Sequence, residues 1–408
     1  LTSARMTRAL NGVSRMDRRR FLQHSTAFGA TMTASLFGFS TRSNVMATQG
    51  PFRTLEELGA SLASAGVSAA DQRTLLNMAL PAMAFQTKAA DDKDIAIGAS
   101  KIGGAPDLSP GFEWPVRGPT VMGDASLEGI RLVNEQMKAR TFAEGYFTEE
   151  QYVAGIAQTQ SELDAKSKVY HGQAPLAFVM QLDLESLATV GTVDPGWPRE
   201  GRLLVFYDMI VRPWFARDDQ KRPLFQVIHD MTPKPALERR AAPDLGYPLV
   251  AFSEGDARAT PLLRNHMPAA RIVPVFTYTL PDNKTQPMFS RSYELGRDVP
   301  QTKWNEDTPA HVGASNRLGG WPELIQNDMR IELAARDLNE VIPTSSVAAY
   351  SAAVERLAPE AAKWTLLLQI GDYDNDVWDL NGLYYIWIKR EHLKVPDFSK
   401  AEMIYQTD

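Results

Sequence analysis

Residues 98–108 read Gly-Ala-Ser-Lys-Ile-Gly-Gly-Ala-Pro-Asp-Leu, and residues 313–324 repeat this pattern as Gly-Ala-Ser-Asn-Arg-Leu-Gly-Gly-Trp-Pro-Glu-Leu. Both copies contain Gly-Ala-Ser, a basic residue, an aliphatic residue, Gly-Gly, one variable residue, Pro, an acid and Leu, and the second copy has one extra residue. Glycine tolerates positive φ and close approach of another backbone, and proline fixes the chain direction that follows. The pattern therefore predicts a tight turn in each copy.

Two further matches follow each copy in the same order. Residues 176–182 match residues 364–370, and residues 201–207 match residues 382–388. The last two segments are apolar at consecutive positions, which indicates strands buried on both faces. Three matched elements in one order predict an internal duplication, although recurrence of common turn and strand types remains an alternative.

Polar residues within these repeats are candidate ligand-binding groups. Gln181 and Gln369 lie inside apolar strands and must find hydrogen-bond partners there. They hold the neighbouring Gly-Gly turn, or they face a ligand cleft shared by the two halves. The basic residues before the turns form an anion-binding nest with backbone N–H groups, or they are solvated charges. The full candidate set is Lys101, Gly103, Gly104, Gln181, Arg317, Gly319, Gly320 and Gln369.

An acidic run near the C-terminus is the candidate metal site. Asp372, Asp374 and Asp376 alternate as at the start of a calcium loop, where several carboxylate oxygens bind one ion. Val377 and Leu383 stand where such a loop needs Gly and Glu, so a polar connection between strands explains the run equally well. Calcium is the one cofactor considered, and no other is predicted.

Catalytic patterns are sparse. The absence of cysteine excludes disulfides, cysteine-ligated zinc and thiol nucleophiles. The histidines are scattered without zinc-site spacing, and nucleophile-elbow, Walker and dinucleotide-binding patterns are absent. A hydrolase could still combine His171 or His311 with aspartates that are distant in sequence.

The N-terminal 47 residues are typical of a twin-arginine export leader. Arg18 and Arg19 are followed by any residue and Phe-Leu, and an uncharged apolar stretch runs over residues 27–39. Val-Met-Ala at residues 45–47 offers a cleavage site, so we expect a mature chain from Thr48, in the periplasm or secreted. A basic, disordered N-terminus is the alternative.

Charge and hydropathy restrict the partners. The leader carries seven arginines and one aspartate, which leaves 36 basic and 48 acidic residues and a net charge of −12 in the remainder. Such a chain is not expected to bind nucleic acid. No apolar run reaches the roughly 18–20 residues of a membrane helix, so no stable membrane anchor is expected after leader cleavage.

The rest of the chain divides into three predicted parts. Residues 48–95 read as a helical preface, with one helix over 54–66 and a second that opens at Ser68 and ends at Pro81. Residues 96–408 carry the duplicated motifs. Within them, about 122–172 is a charged, helix-forming insertion.

Four segments, residues 103–114, 175–183, 318–326 and 366–398, resemble the YwqG-like family, a bacterial domain of unknown function. The resemblance covers roughly residues 96–408 and is weak between 210 and 300. It implies an α+β fold with mostly antiparallel sheets, built here from two pseudo-repeated halves. No established activity accompanies the family.

Two functional hypotheses follow. The first is a non-catalytic binding or protein-interaction module, with a cleft between the halves and an unknown protein or small-molecule ligand. The second is a hydrolase-like enzyme that uses acidic residues, with or without a metal. Convergence of the candidate polar residues on one open pocket would favour the first, whereas separate, covered positions would indicate structural roles.

Overall fold

The computed structural model describes residues 52–64, 66–121, 124–145, 148–211, 224–243, 249–251, 263–281, 316–343, 346–371, 382–394 and 396–407. These residues belong to two compact units, one of residues 118–173 and one of residues 52–117 with 174–407. The helices are α1 (Leu55–Ser64), α2 (Ala69–Met78), α3 (Asp124–Ala143), α4 (Glu149–Tyr170), α5 (Leu184–Val190), α6 (Met329–Asp337), α7 (Val347–Ala361) and α8 (Arg390–Lys394).

The strands confirm an α+β fold with a large antiparallel sheet. In chain order they are β1 (Leu80–Ala89), β2 (Lys101–Ile102), β3 (Asp107–Leu108), β4 (Val116–Arg117), β5 (Ala174–Pro175), β6 (Ala177–Asp183), β7 (Arg202–Tyr207), β8 (Phe225–Asp230), β9 (Glu238–Arg239), β10 (Leu249–Ala251), β11 (Leu263–His266), β12 (Ala270–Thr279), β13 (Arg317–Gly319), β14 (Trp364–Ile370), β15 (Leu383–Lys389) and β16 (Glu402–Gln406). Ten of them form one sheet in the order β16-β15-β14-β13-β1-β12-β2-β6-β7-β8.

The ten-stranded sheet is arranged evenly about its two longest strands. β1 and β12 pair with each other over ten residues at the centre of the sheet. β1 then pairs with β13, from the second Gly-Gly copy, and β12 pairs with β2, from the first. Each turn strand therefore hydrogen-bonds a long strand that is remote from it in sequence. Because of this exchange, either half of the sheet depends on strands from both halves of the chain.

The predicted helical preface differs from the structure at Leu80. α2 begins as expected, because Ser68 Oγ accepts the Asp71 N–H at 3.2 Å. Beyond Met78, however, the chain enters β1 instead of a connecting segment, and residues 82–85 are buried in the sheet. The sequence predicts that Pro81 ends the helix, and in the structure Pro81 occupies the start of this strand opposite Tyr278. A proline near a strand end is compatible with sheet pairing. Pro81 therefore does not distinguish the end of a helix from the start of a strand in the sequence.

Residues 118–173 form a helical unit of α3 and α4. Thr148 and Gln151 make a reciprocal capping box at the start of α4. In chain order this helix pair lies between the first Gly-Gly turn and β6. α6 and α7 lie between the second Gly-Gly turn and β14. The segment predicted as an insertion therefore has a helical counterpart at the same place in the other copy.

The main hydrophobic core of the larger unit contains residues from strands near both ends of the ten-stranded sheet. Its members include Phe85, Leu203 and Val205 together with Ile386 and Met403. The ring centroids of Tyr207 on β7 and Tyr384 on β15 are 4.9 Å apart. β7 is buried along its whole length and β15 along all but its last residue, which confirms the prediction of strands covered on both faces. Among the described helices, none combines the length and apolar character required to cross a membrane.

Candidate functional site

The first Gly-Gly turn is held by a buried polar network. Lys101 is fully buried, and its Nζ lies 2.9 Å from Asp92 Oδ1 and also donates to the Ala105 carbonyl. Gln181 is the register partner of Lys101 on the adjacent strand. The Gln181 Oε1 accepts the Asp107 N–H at 2.9 Å, and its Nε2 donates to Asp107 Oδ2 at 2.9 Å. The amide therefore fixes the residue that follows the turn proline.

The second Gly-Gly turn makes matching contacts. Arg317 and Gln369 are register partners, as Lys101 and Gln181 are in the first copy. The Gln369 Oε1 accepts the Glu323 N–H at 2.8 Å, and Arg317 Nη1 donates to the Trp321 carbonyl at 3.1 Å. The basic residue lies 3.7 Å from the acid after the proline in both copies.

The turn glycines adopt the predicted conformation. Gly103 and Gly104 have φ of 65° and 70°, and Gly319 and Gly320 have φ of 67° and 72°. A Cβ on Gly103 would lie 2.1 Å from the Pro268 carbonyl oxygen, and one on Gly319 would lie 2.3 Å from Val193 Cγ1. Both reasons for glycine, positive φ and close approach, are thus confirmed.

Burial changes the acid–base properties of these charges. Burial alone would raise the pKa of Asp107. Hydrogen bonds from Arg239 and Gln181, together with the charge of Lys101, outweigh burial. The pKa of Asp107 therefore lies below its usual value. Burial lowers the pKa of Lys101 despite its bond to Asp92. Burial likewise lowers the pKa of Arg317 against the charge of Glu323.

The candidate ligand residues do not converge on one pocket. Lys101, Gln181 and Gln369 are 0% exposed and Arg317 is 4% exposed, so none of the four is a solvated charge or an open ligand group. β1 and β12 separate β2 from β13, which places the two turn strands about 14 Å apart at ordinary strand spacing. These contacts favour structural roles for the four side chains. Binding of a ligand by this set stays a prediction that the geometry does not support.

A different cleft lies between elements from both copies. Met83 of β1 and Leu318 of β13 form its floor, and α5 and the loop of residues 191–199 form its walls. The loop is held by Asp194, whose Oδ1 accepts the Gly196 N–H at 2.8 Å. Sequence reasoning missed this cleft, although Asp-Pro-Gly-Trp-Pro at residues 194–198 is a turn signal around a tryptophan that is 8% exposed.

The cleft is small and mostly apolar. It holds about 30 Å³ and is lined by Met83, Leu184, Leu187, Ala188, Gly191, Thr192, Val193, Asp194, Trp197, Pro198, Arg199 and Leu318. Its charged rim contains Asp194 and Arg199, and Arg390 Nη1 lies 3.5 Å from Asp194 Oδ2. Arg199 Nη2 donates to Thr192 Oγ1 at 3.2 Å. Such a site can accept an apolar side chain beside a charged group.

One histidine–carboxylate contact lies in the helical unit of residues 118–173. His171 Nε2 is 2.9 Å from Asp124 Oδ1, and His171 Nδ1 is 3.2 Å from Ser167 Oγ. His171 follows the end of α4 and Asp124 begins α3, so the contact links a helix C-terminus to a helix N-terminus, where the helix dipole favours the carboxylate of Asp124. About half of each side chain is exposed.

The metal prediction lies outside the described residues, because residues 372–381 include Asp372, Asp374 and Asp376. In the parts of the chain that the structure describes, no group of three or more His, Asp or Glu side chains is arranged to hold a metal ion. Calcium binding therefore stays a prediction.

Comparison with known proteins places most of the chain in one family. The family described as "Domain of unknown function (DUF1963)" matches residues 100–407, which include both Gly-Gly turns and the cleft loop. The chain therefore belongs to this family. No curated protein matches the chain.

Proposed function

We propose that this DUF1963 member is an exported, non-catalytic binding module that holds a partner protein or peptide at the cleft between α5 and the loop of residues 191–199. The observation that carries the proposal is the composition of the cleft, an apolar floor shared by both copies with charged side chains at its rim. Interfaces combine apolar anchors with a polar rim in the same way.

The size of the cleft favours a side chain over a free metabolite. Pockets for small molecules span about 300–1,000 Å³, whereas this cleft holds about 30 Å³. A volume of this size accepts one or two methyl-sized groups, since a single water needs about 10–15 Å³. A protruding aliphatic side chain fits these limits, and the rest of the partner would lie across the rim.

A peptide-display selection on the mature chain from residue 48 tests the proposal. Ala188 is a half-buried wall residue, so the ring of Ala188→Phe blocks the cleft, whereas Ser186→Phe places the same ring on an exposed face of α5. We expect peptides enriched on the wild type to bind Ser186→Phe with equal affinity. Their affinity for Ala188→Phe should be at least tenfold lower. Equal binding by all three proteins would sink the proposal.

Export is part of the proposal and is supported by the twin-arginine pattern at Arg18 and Arg19 with the apolar stretch after it. Cell fractionation of the full chain tests it. We expect the wild type in the periplasm and the Arg18→Lys, Arg19→Lys double variant in the cytoplasm. Periplasmic recovery of the double variant would show that these residues do not direct export.

We also propose that the two Gly-Gly copies arose by duplication of a YwqG-like half. The repeated contacts of Gln181 and Gln369 support this origin, as does a sheet order that is even about β1 and β12. Exchange of β1 and β12 between the halves is the arrangement expected when two identical units dimerise before fusing.

A hydrolase is the second candidate, favoured by the contacts of His171. With a neutral ring, the Nε2–H donates to Asp124 and Nδ1 accepts the Ser167 hydroxyl proton, as a nucleophilic serine requires. A fluorophosphonate probe tests it. The hydrolase would be supported if the probe labels the wild type and the control Ser161→Ala. Labelling should then be lost in Ser167→Ala and in His171→Gln. An unlabelled wild type would leave the helix-linking role.

A further inference from the structure

The cation at the mouth of the cleft is Arg199. Its side chain is exposed, and the contact described for it is the neutral hydroxyl of Thr192. Among the described residues, no carboxylate oxygen lies within 4.0 Å of its guanidinium. A forked, always-charged guanidinium beside an apolar floor is suited to a carboxylate that arrives with an apolar group.

The acid at the same rim is already engaged. Asp194 accepts the Gly196 N–H at 2.8 Å and lies 3.5 Å from Arg390 Nη1. Because Arg390 offsets the charge of Asp194, the positive charge of Arg199 is left without an opposite charge at the rim among the described residues. A basic peptide would meet this excess charge, whereas an acidic one would complement it.

We propose that the cleft binds an extended, acidic peptide segment of a partner protein, with one aliphatic side chain on the apolar floor and an adjacent Asp or Glu paired with Arg199. This inference rests on the proposed function, because it assigns the chemistry of the ligand at the same cleft. The 30 Å³ of the cleft selects the branched end of Val, Ile or Leu over an aromatic ring.

A pool of displayed peptides with a fixed central Leu and randomised flanks supplies the test. The proteins are the mature wild type, Arg199→Gln, Ala188→Phe and a matched control, Arg271→Gln. Arg271 is likewise exposed and donates to the Asp94 carbonyl, away from the cleft lining. Sequencing of bound peptides then measures the preference for Asp over Asn and for Glu over Gln beside the Leu.

We expect acidic residues to be enriched about threefold to tenfold on the wild type and on Arg271→Gln, as one charge-assisted, partly exposed pair would give. Arg199→Gln should retain Leu-dependent binding and lose the acidic preference. The same enrichment should fall at high salt.

The outcomes separate this inference from the proposed function. Weaker binding by Ala188→Phe without an acidic preference in the wild type would overturn the acidic ligand and leave the proposed binding cleft supported. The same conclusion would follow if Ala188→Phe weakens binding and Arg199→Gln keeps the acidic preference. If Ala188→Phe leaves binding unchanged, or no peptide is enriched, both are overturned.

Discussion

Gln181 and Gln369 perform the same task 188 positions apart: each amide oxygen accepts the N–H of the acidic residue after a turn proline, at 2.9 and 2.8 Å. Each also faces a buried basic register partner, Lys101 in one case and Arg317 in the other. A polar side chain in an apolar strand thus fixes the turn that follows the neighbouring strand. The two contacts connect the repeated sequence directly to the repeated sheet pattern.

Removing either glutamine amide should destabilise the protein by a similar amount. Gln181→Ala leaves a buried backbone N–H, and Gln369→Ala a partly buried one, without its acceptor, which costs about 1–3 kcal/mol. Chemical denaturation measures the loss in the free energy of unfolding.

Gln86 provides the control for these variants. It is exposed on β1, so Gln86→Ala should change stability by less than about 0.5 kcal/mol. A change in Gln181→Ala or Gln369→Ala no larger than that of the control would contradict a turn-holding role.

Substitution of the turn glycines should separate the cost of positive φ from that of steric clash. Gly145 has φ of 78° with open space around it, whereas Gly319 has φ of 67° and a Cβ position 2.3 Å from Val193. Gly145→Ala should cost about 1 kcal/mol from backbone strain alone. Gly319→Ala should cost more, because Val193 and its loop must move.

Thermal unfolding measures this series, and Gly111→Ala is its reference. The φ of Gly111 lies outside the left-handed region and no atom is within 4 Å of a built Cβ, so its substitution should be nearly neutral. Equal losses for Gly145→Ala and Gly319→Ala would show that the Val193 contact relaxes freely.

The turns and the buried strands could be predicted from the sequence because their signals are local. A Gly-Gly-x-Pro run specifies the conformation of a turn, and an apolar strand with one glutamine indicates burial. Each signal lies within about ten residues. β1 could not be recognised, because its strand character depends on pairing with β12, almost 190 residues away. The cleft was also missed, since Met83, Leu187 and Leu318 meet only in the folded chain.

Asp107 should make stability depend on acidity. Its folded pKa lies below 3.8, so its contribution is fully present above that value and is lost as the pH falls through the folded pKa. At neutral pH, Asp107→Asn leaves Lys101 and Arg239 without their shared carboxylate, which costs about 3–5 kcal/mol. The difference in the free energy of unfolding between Asp107→Asn and the wild type should become smaller below pH 3.8.

Urea denaturation at pH 7 and pH 3 measures this gap. Asp91→Asn is the matched control, since Asp91 is exposed and pairs only at the surface with Lys93. A gap for Asp107→Asn that is the same at both pH values would show that its ionisation is not linked to folding.

Glu332 should show the opposite sign. Burial on α6 raises its pKa above 4.5, although Asn327 Nδ2 donates to its Oε1 at 2.6 Å and Arg336 lies nearby. As the pH rises above 4.5 the unfolded chain releases the proton before the folded protein does, so this carboxyl lowers the free energy of unfolding. Glu332→Gln keeps an oxygen for Asn327 and removes the buried charge. We therefore expect the variant to be more stable than the wild type at pH 7 and to approach it below pH 4.5.

Denaturation curves at pH 4 and pH 7 measure this difference, with Glu355→Gln on the exposed face of α7 as the neutral reference. A loss of stability that is larger at pH 7 than at pH 4 would mean that Glu332 is needed as a carboxylate, for instance to neutralise Arg336. A gain confined to neutral pH would identify the desolvated charge as the cause, because protonation and amidation remove the same charge while leaving the contact with Asn327 in place.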